Sequence, residues 1–134
     1  MEEDEIIRPD ERMTEDKYSG HVLGKKGEEI AVNYLQKKGY RIVERGYRLF
    51  RGELDIIAYD GATLVFVEVK TRAGTEFGLP EEAVTPAKQN QIKRIAQGYL
   101  MERGLGDPDC RFDVLAILFD GEGDPTITHF KDAF

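Results

Sequence analysis

The sequence predicts an α/β domain: a central mixed β-sheet flanked by α-helices, with elements in the order helix, three strands, helix, one or two strands. Three observations carry this. Apolar residues recur at helical spacing in two separate stretches, and strand-like apolar runs follow each of them. An Asp60-Gly61 pair joins two of those runs as a hairpin. The second helical stretch interrupts the strands where a crossover would, so hairpins and a parallel pairing are expected in one sheet.

Residues 1–18 are polar and acidic without sustained apolar periodicity and read as a flexible tail, leaving residues 19–134 as a single domain. Ser19 can cap a first helix whose apolar positions Leu23, Ile30, Ala31, Tyr34 and Leu35 recur at intervals of three and four, with Gly39 as its stop. Tyr40 to Tyr47 reads as a strand. Glu53 to Tyr59 and Thr63 to Lys70 are clearer strands about the Asp60-Gly61 reversal. Gly74, Gly78 and Pro80 make Thr71 to Pro80 a loop. Thr85-Pro86 supplies an N-cap and a first-turn proline, and Ala87, Ile92, Ile95, Ala96, Tyr99 and Leu100 trace the stripe of a second helix ending at Gly104. Phe112 to Phe119 is a strongly apolar strand, and Thr126 to Phe130 a short last one after the Gly121 to Pro125 turn.

Composition narrows the function classes. Cys110 is the single cysteine, which excludes an internal disulfide or a thiolate metal cluster within one chain and favours a reducing compartment. Met1 to Glu5 opens without a basic and apolar leader, and the apolar run Leu64 to Val67 is far too short to span a bilayer, so the expected location is the cytoplasm, with no membrane association. A net charge of −7 argues at first against nucleic acid. The charge is uneven, however. Residues 1–17 carry eight acids against three bases, a balance of −5, whereas Lys37 to Arg51 has six bases against Glu44 alone. That basic segment, interleaved with Tyr40, Tyr47 and Phe50, is a candidate backbone-binding surface, with Arg48 and Arg51 as candidate contacts; the aromatics serve base stacking or core packing equally well.

The chemistry concentrates on the hairpin. With Asp60 and Gly61 as loop residues, paired positions sum to 121: Asp55 faces Phe66 and Glu53 faces Glu68. Every second strand residue shares a face, so Asp55, Glu68, Lys70 and Glu53 lie together, with Asp55 and Glu68 diagonal neighbours about 7–8 Å apart. Two carboxylates at that separation can hold one divalent ion. Oxygen ligands select magnesium or manganese, and zinc is disfavoured with so few histidines and cysteines. Such an ion polarises a phosphate and acidifies a water, and Lys70 can position that water or offset developing charge. Against this, Glu-x-Lys is a common tripeptide that on an exposed face is an ordinary solvated pair. The run Leu64 to Lys70 nevertheless marks a central strand, where charges are costly unless paired or metal-bound. His21 and His129 have no metal-ligand spacing and read as structural or surface residues.

The segments Gly24-Lys25-Lys26-Gly27-Glu28, Arg51-Gly52-Glu53-Leu54-Asp55-Ile56-Ile57 and Val65-Phe66-Val67-Glu68-Val69-Lys70-Thr71-Arg72, in that order and followed by Lys88-Gln89, resemble the YraN-like family. That family looks like a branch of the PD-(D/E)XK nuclease superfamily, related to archaeal Holliday junction resolvases. The resemblance covers about residues 20–119 and implies a restriction endonuclease-like fold. It implies Asp55 and Glu68 as metal-binding carboxylates, Lys70 as the catalytic lysine, and Glu28 as the helical glutamate that approaches the metal; unaided, the sequence leaves Glu28 as readily a solvent-facing residue. Leu54 stands where the superfamily motif has proline. Lys88 and Gln89, in the first turn of the second helix, and Arg72, just past the catalytic strand, are candidate phosphate contacts or merely solvated residues. The expected activity is magnesium- or manganese-dependent endonucleolytic hydrolysis of DNA, branched or single-stranded, with a homodimer expected by analogy. The alternative is a non-catalytic nucleic-acid-binding or adaptor module that keeps the nuclease fold.

Overall fold

Strand-forming runs over residues 41–73 and 110–130 assemble into one five-stranded sheet, hydrogen-bonded in the order β1-β2-β3-β4-β5 in the computed structural model. The structure describes residues 20–73, 84–119, 121 and 123–134. Helix α1 (Gly20–Lys37) precedes β1 (Arg41–Leu49), β2 (Gly52–Asp60) and β3 (Thr63–Ala73). Helix α2 (Pro86–Glu102) then leads to β4 (Cys110–Phe119) and β5 (Thr126–Phe130). All neighbouring strands are antiparallel except β3 and β4, which run parallel with α2 as the crossover between them. The α/β class and the mixed sheet follow the sequence reading, with a fifth strand present.

The α2 cap is the expected one: Thr85 has extended backbone angles and its hydroxyl accepts the Lys88 amide at 3.2 Å, with Pro86 at the first turn. The expected cap at Ser19, the tail and the 74–80 loop lie outside the described residues. Thr71 to Ala73, expected as loop, instead continue β3, because β4 runs far enough to pair them with Ile117 to Phe119.

Alternation along β3 divides the apolar side chains between two cores. Leu64 and Phe66 pack with Ile92, Ile95, Ala96 and Tyr99 of α2. Val65 and Val67 pack with Ala31, Val32 and Leu35 of α1. The sheet is therefore covered on both faces, and burying a side chain such as Phe66 contributes roughly 1.5–3 kcal/mol. Glycine sets how close α1 can come: a Cβ on Gly27 would lie 2.2 Å from the Thr71 hydroxyl of β3.

The β2–β3 register corrects the sequence reading by two residues. Asp60 pairs with Thr63, and the ladder runs to Ile56 opposite Val67, so paired positions sum to 123 and the reversal is made by Gly61 and Ala62. Gly61 takes the positive φ of 62°. A two-residue slip keeps every side chain on its expected face. At the other hairpin, Phe50 and Arg51 connect Leu49 to Gly52 with φ of 53° and 59°, a left-handed turn that side-chain-bearing residues adopt only at a cost.

Candidate metal centre

β2 and β3 separate just past the Ile56–Val67 pair. Beyond it, Gly52 to Leu54 pair with β1, while Glu68 to Ala73 pair with β4. One further step of the register sets Asp55 directly opposite Glu68 rather than diagonal to it, at the crotch of this fork. The separation strips the Val69 amide of a strand partner, and the Asp55 carboxylate replaces it, Oδ2 accepting from that amide at 2.8 Å. Across from Asp55 on β1 stands Gly46, between the pairs Arg45–Ile56 and Tyr47–Leu54, with a φ of 63° that favours glycine.

Helix α1 brings a third carboxylate. The close approach of Gly27 to Thr71 sets the adjacent Glu28 beside the fork, where one oxygen each of Glu28, Glu53 and Asp55 lies within 4.8 Å of the other two. Glu53 was not among the expected ligands. Its signal is legible in the sequence, since it shares a strand face with Asp55 two residues away, but the expected register sets it opposite Glu68 instead. Its β1 neighbour is Arg48, whose guanidinium is 3.7 Å from its carboxylate.

Crowding of acids perturbs them together. Burial first, and then the Glu68 charge, push the Asp55 carboxyl up to about 7, although the Val69 amide pulls the other way. Burial raises Glu68 as well, opposed by Lys88, Lys70 and a hydrogen bond with Asp55. Glu28 is raised by burial, then by Asp55 and Glu53, with Arg45 opposing. Asp55 thus holds a proton toward neutrality, and a cation taken up by the set would relieve the same crowding.

Asp55, Glu68 and Lys70 stand together at the fork, Lys70 being half-buried and near enough to lower the Glu68 pKa, while Glu28 groups with Asp55 and Glu53 and not with Glu68. Lys88 sits over the fork with its ammonium 3.8 Å from Glu68, whose side chain is 8% exposed. Gln89 turns back instead, donating to the Val84 carbonyl at 3.0 Å. Arg72 donates to the Thr71 carbonyl. Arg48 and Arg51 are exposed at the β1–β2 hairpin. Of the aromatics in the basic segment, Tyr40 and Tyr47 are buried and Phe50 is 52% exposed under the Arg94 guanidinium. His129 joins a buried network far along the chain from the fork, its Nε2 donating to the Asp113 carboxylate at 2.8 Å. The side chain of His21 lies outside the described residues.

Fold and site together define an α/β protein with a mixed sheet whose forked central strands carry a carboxylate centre. The chain matches Uncharacterised protein family UPF0102 over residues 27–117 and belongs to that family, in agreement with the YraN-like resemblance. It is similar to a UPF0102 protein of Chlorobium limicola, 53% identical over 119 residues, 85% of this chain and 92% of the relative. A UPF0102 protein of Geotalea daltonii is 51% identical over 120 residues, and one of Geobacter sulfurreducens 46% identical over 120; each alignment spans 90% of this chain and 94% of the relative.

Proposed function

We propose that this protein is a restriction endonuclease-like, PD-(D/E)XK nuclease that hydrolyses phosphodiester bonds of DNA, branched or single-stranded, using magnesium or manganese. The observation that carries this reading is the meeting of Glu28, Glu53 and Asp55 within 4.8 Å, at a strand fork where Glu68 and Lys70 also stand. The donor set is all carboxylate, which suits a hard divalent ion and not zinc. A bound ion would polarise the scissile phosphate and lower the pKa of the attacking water. The chain's own part is to hold Asp55 aimed through the Val69 amide, to keep Glu68 buried beside it, and to offer the Lys70 ammonium to the water or to developing charge. Departure of Lys88 from Glu68 would free that carboxylate for an incoming ligand. The reading carries DNA as partner, the cytoplasm as setting and a homodimer as working unit, the last to be tested by light scattering.

Calorimetric titration of manganese into the wild type and Asp55→Asn, followed by a cleavage screen on duplex, single-stranded and branched DNA, tests the proposal. Manganese is expected to bind the wild type alone, and Lys70→Ala is expected to abolish cleavage with unchanged circular dichroism. If the wild type takes up manganese yet leaves all three substrates intact, as Lys70→Ala does, hydrolysis is the wrong assignment. Salt-sensitive DNA binding that persists without metal and in Asp55→Ala would then identify the non-catalytic module.

A further inference from the structure

Beside the carboxylate centre, on the α1 side, lies a concavity of about 400 Å³ lined by Lys25, Lys26, Glu28, Glu29 and Arg45. Its charge is unlike that of the fork. Arg45 is held by Glu29 at 2.9 Å, and Glu28 faces the cluster with Glu53 and Asp55. Lys25 and Lys26 are exposed and have no ion-pair partner among the described residues. Lys25 stands three residues before Glu28, one turn away on the same stripe of α1 and about 4.5 Å along its axis. A cationic pocket thus adjoins an anionic centre, with Glu28 as the shared wall.

We propose that this pocket is a phosphate subsite: Lys25 and Lys26 hold the backbone phosphate next to the one presented to the carboxylate centre, and the strand crosses α1 there. The identity of the bound polymer rests on the nuclease reading; the anion site itself does not. An ammonium binds phosphate as a point charge without demanding a fixed fork geometry, which suits two exposed lysines on a helix. Arg45, tied to Glu29, keeps the pocket wall in place and moderates the charge of the two glutamates. The arrangement also answers how a chain of net charge −7 could engage a polyanion: only a local pair of cations beside the centre is needed, not a basic surface overall.

The test measures binding of a short fluorescein-labelled single-stranded oligodeoxynucleotide by anisotropy, with EDTA present so that cleavage cannot intervene. Lys25→Ala/Lys26→Ala is expected to weaken binding about tenfold at about 0.15 M salt and to lower the slope of log affinity against log salt by about 0.7, the loss of one neutralised single-strand phosphate. Lys25→Arg/Lys26→Arg restores both. Lys93→Ala/Lys131→Ala, which removes the same charge from exposed positions away from α1, leaves both unchanged. Equal losses from the two alanine pairs, or no binding by the wild type, overturn the proposal. A parallel cleavage assay with manganese separates it from the reading beneath it. Lysine-dependent binding without any cleavage retains the subsite and removes the nuclease, whereas cleavage and binding indifferent to Lys25 and Lys26 do the reverse.

Discussion

At the scale of single residues, Asp55 does two jobs that different substitutions separate. Its Oδ2 completes the hydrogen bonding of the Val69 amide, and its charge adds to a crowded acidic set. Asn keeps an acceptor and removes the charge; Ala removes both. Above pH 7, without divalent ions, Asp55→Asn should therefore be more stable than wild type by about 1 kcal/mol or more, because ionising Asp55 costs the native state free energy. Asp55→Ala should lose about 1 kcal/mol relative to Asn through the unsatisfied amide. Urea midpoints at fixed pH read both differences. Manganese should raise the wild-type midpoint and leave both variants where they were. Glu53→Gln distinguishes the observed cluster from the expected one: if Glu28, Glu53 and Asp55 form the cage, it should weaken manganese roughly tenfold or more in a calorimetric titration. Unaltered affinity would return the second ligand role to Glu68 alone.

At the scale of elements, the position of α1 is fixed by a contact that only glycine permits. A Cβ at Gly27 would meet the Thr71 hydroxyl, so Gly27→Ala should destabilise by about 1–3 kcal/mol and displace Glu28 from the fork. Thr71→Ala removes the obstructing oxygen. The double variant should then be less destabilised than the two single changes added, a coupling that a double-mutant cycle in urea measures; strict additivity would mean that the helix does not lean on this contact. The Phe50–Arg51 turn offers a complementary case. Arg51→Gly should stabilise by about 1 kcal/mol by relieving a left-handed backbone, while any role of Arg51 in binding nucleic acid would show as weakened affinity in the same variant. These elements also show what was readable beforehand. Thr85-Pro86 and the apolar stripe of α2 announce their helix, since capping and periodicity are local. The faces of β2 and β3 were readable because side-chain direction has period two and survived the slip from Asp60-Gly61 to Gly61-Ala62. What no local signal carries is the fork itself, since strand separation past Val67 depends on β3 following β4 and β2 following β1. For the same reason the sequence sets Glu53 opposite Glu68 and not in the cluster, and shows Lys25 and Lys26 as part of a family motif and not as the lining of a pocket shared with Arg45 of β1.

At the scale of the whole molecule, two charge clusters pull stability in opposite directions with pH. Asp113, 0% exposed on β4, accepts from Arg111 at 2.9 Å and from the Asp132 amide at 3.0 Å, and contacts His129 at 2.8 Å; Arg111 also reaches Asp60 at the end of β2 and the Tyr40 hydroxyl, and Tyr34 of α1 contacts His129. This network ties the C-terminal strand to α1 and to β2. Burial alone would push Asp113 up, but the hydrogen bonds from His129, Arg111 and the Asp132 amide outweigh it and hold the carboxyl down to about 2. Its stabilisation is thus complete above the unfolded value of about 4 and fades as pH falls toward about 2. Asp55 behaves in the opposite sense. With a native value of about 7, the fold holds its proton more tightly than the unfolded chain does, so the stabilisation present below about pH 4 is lost as pH rises toward 7. In EDTA the stability maximum should therefore lie on the acid side of neutrality, near pH 4–5, bounded by Asp113 below and the fork above. Saturating manganese replaces the lost proton only where Asp55 is ionised, adding about 2.7 kcal/mol at a hundred times its dissociation constant, and should move the maximum toward neutral pH. Urea midpoints across the pH range, with EDTA and with manganese, give the two profiles. Asp113→Asn should remove the acid limb at a cost of about 1–3 kcal/mol near neutrality by leaving Arg111 with Asp60 as its one carboxylate among the described residues, and Asp55→Asn should flatten the alkaline limb. An alkaline limb as steep in Asp55→Asn as in wild type would trace it to self-repulsion of the −7 chain and not to the forked strands.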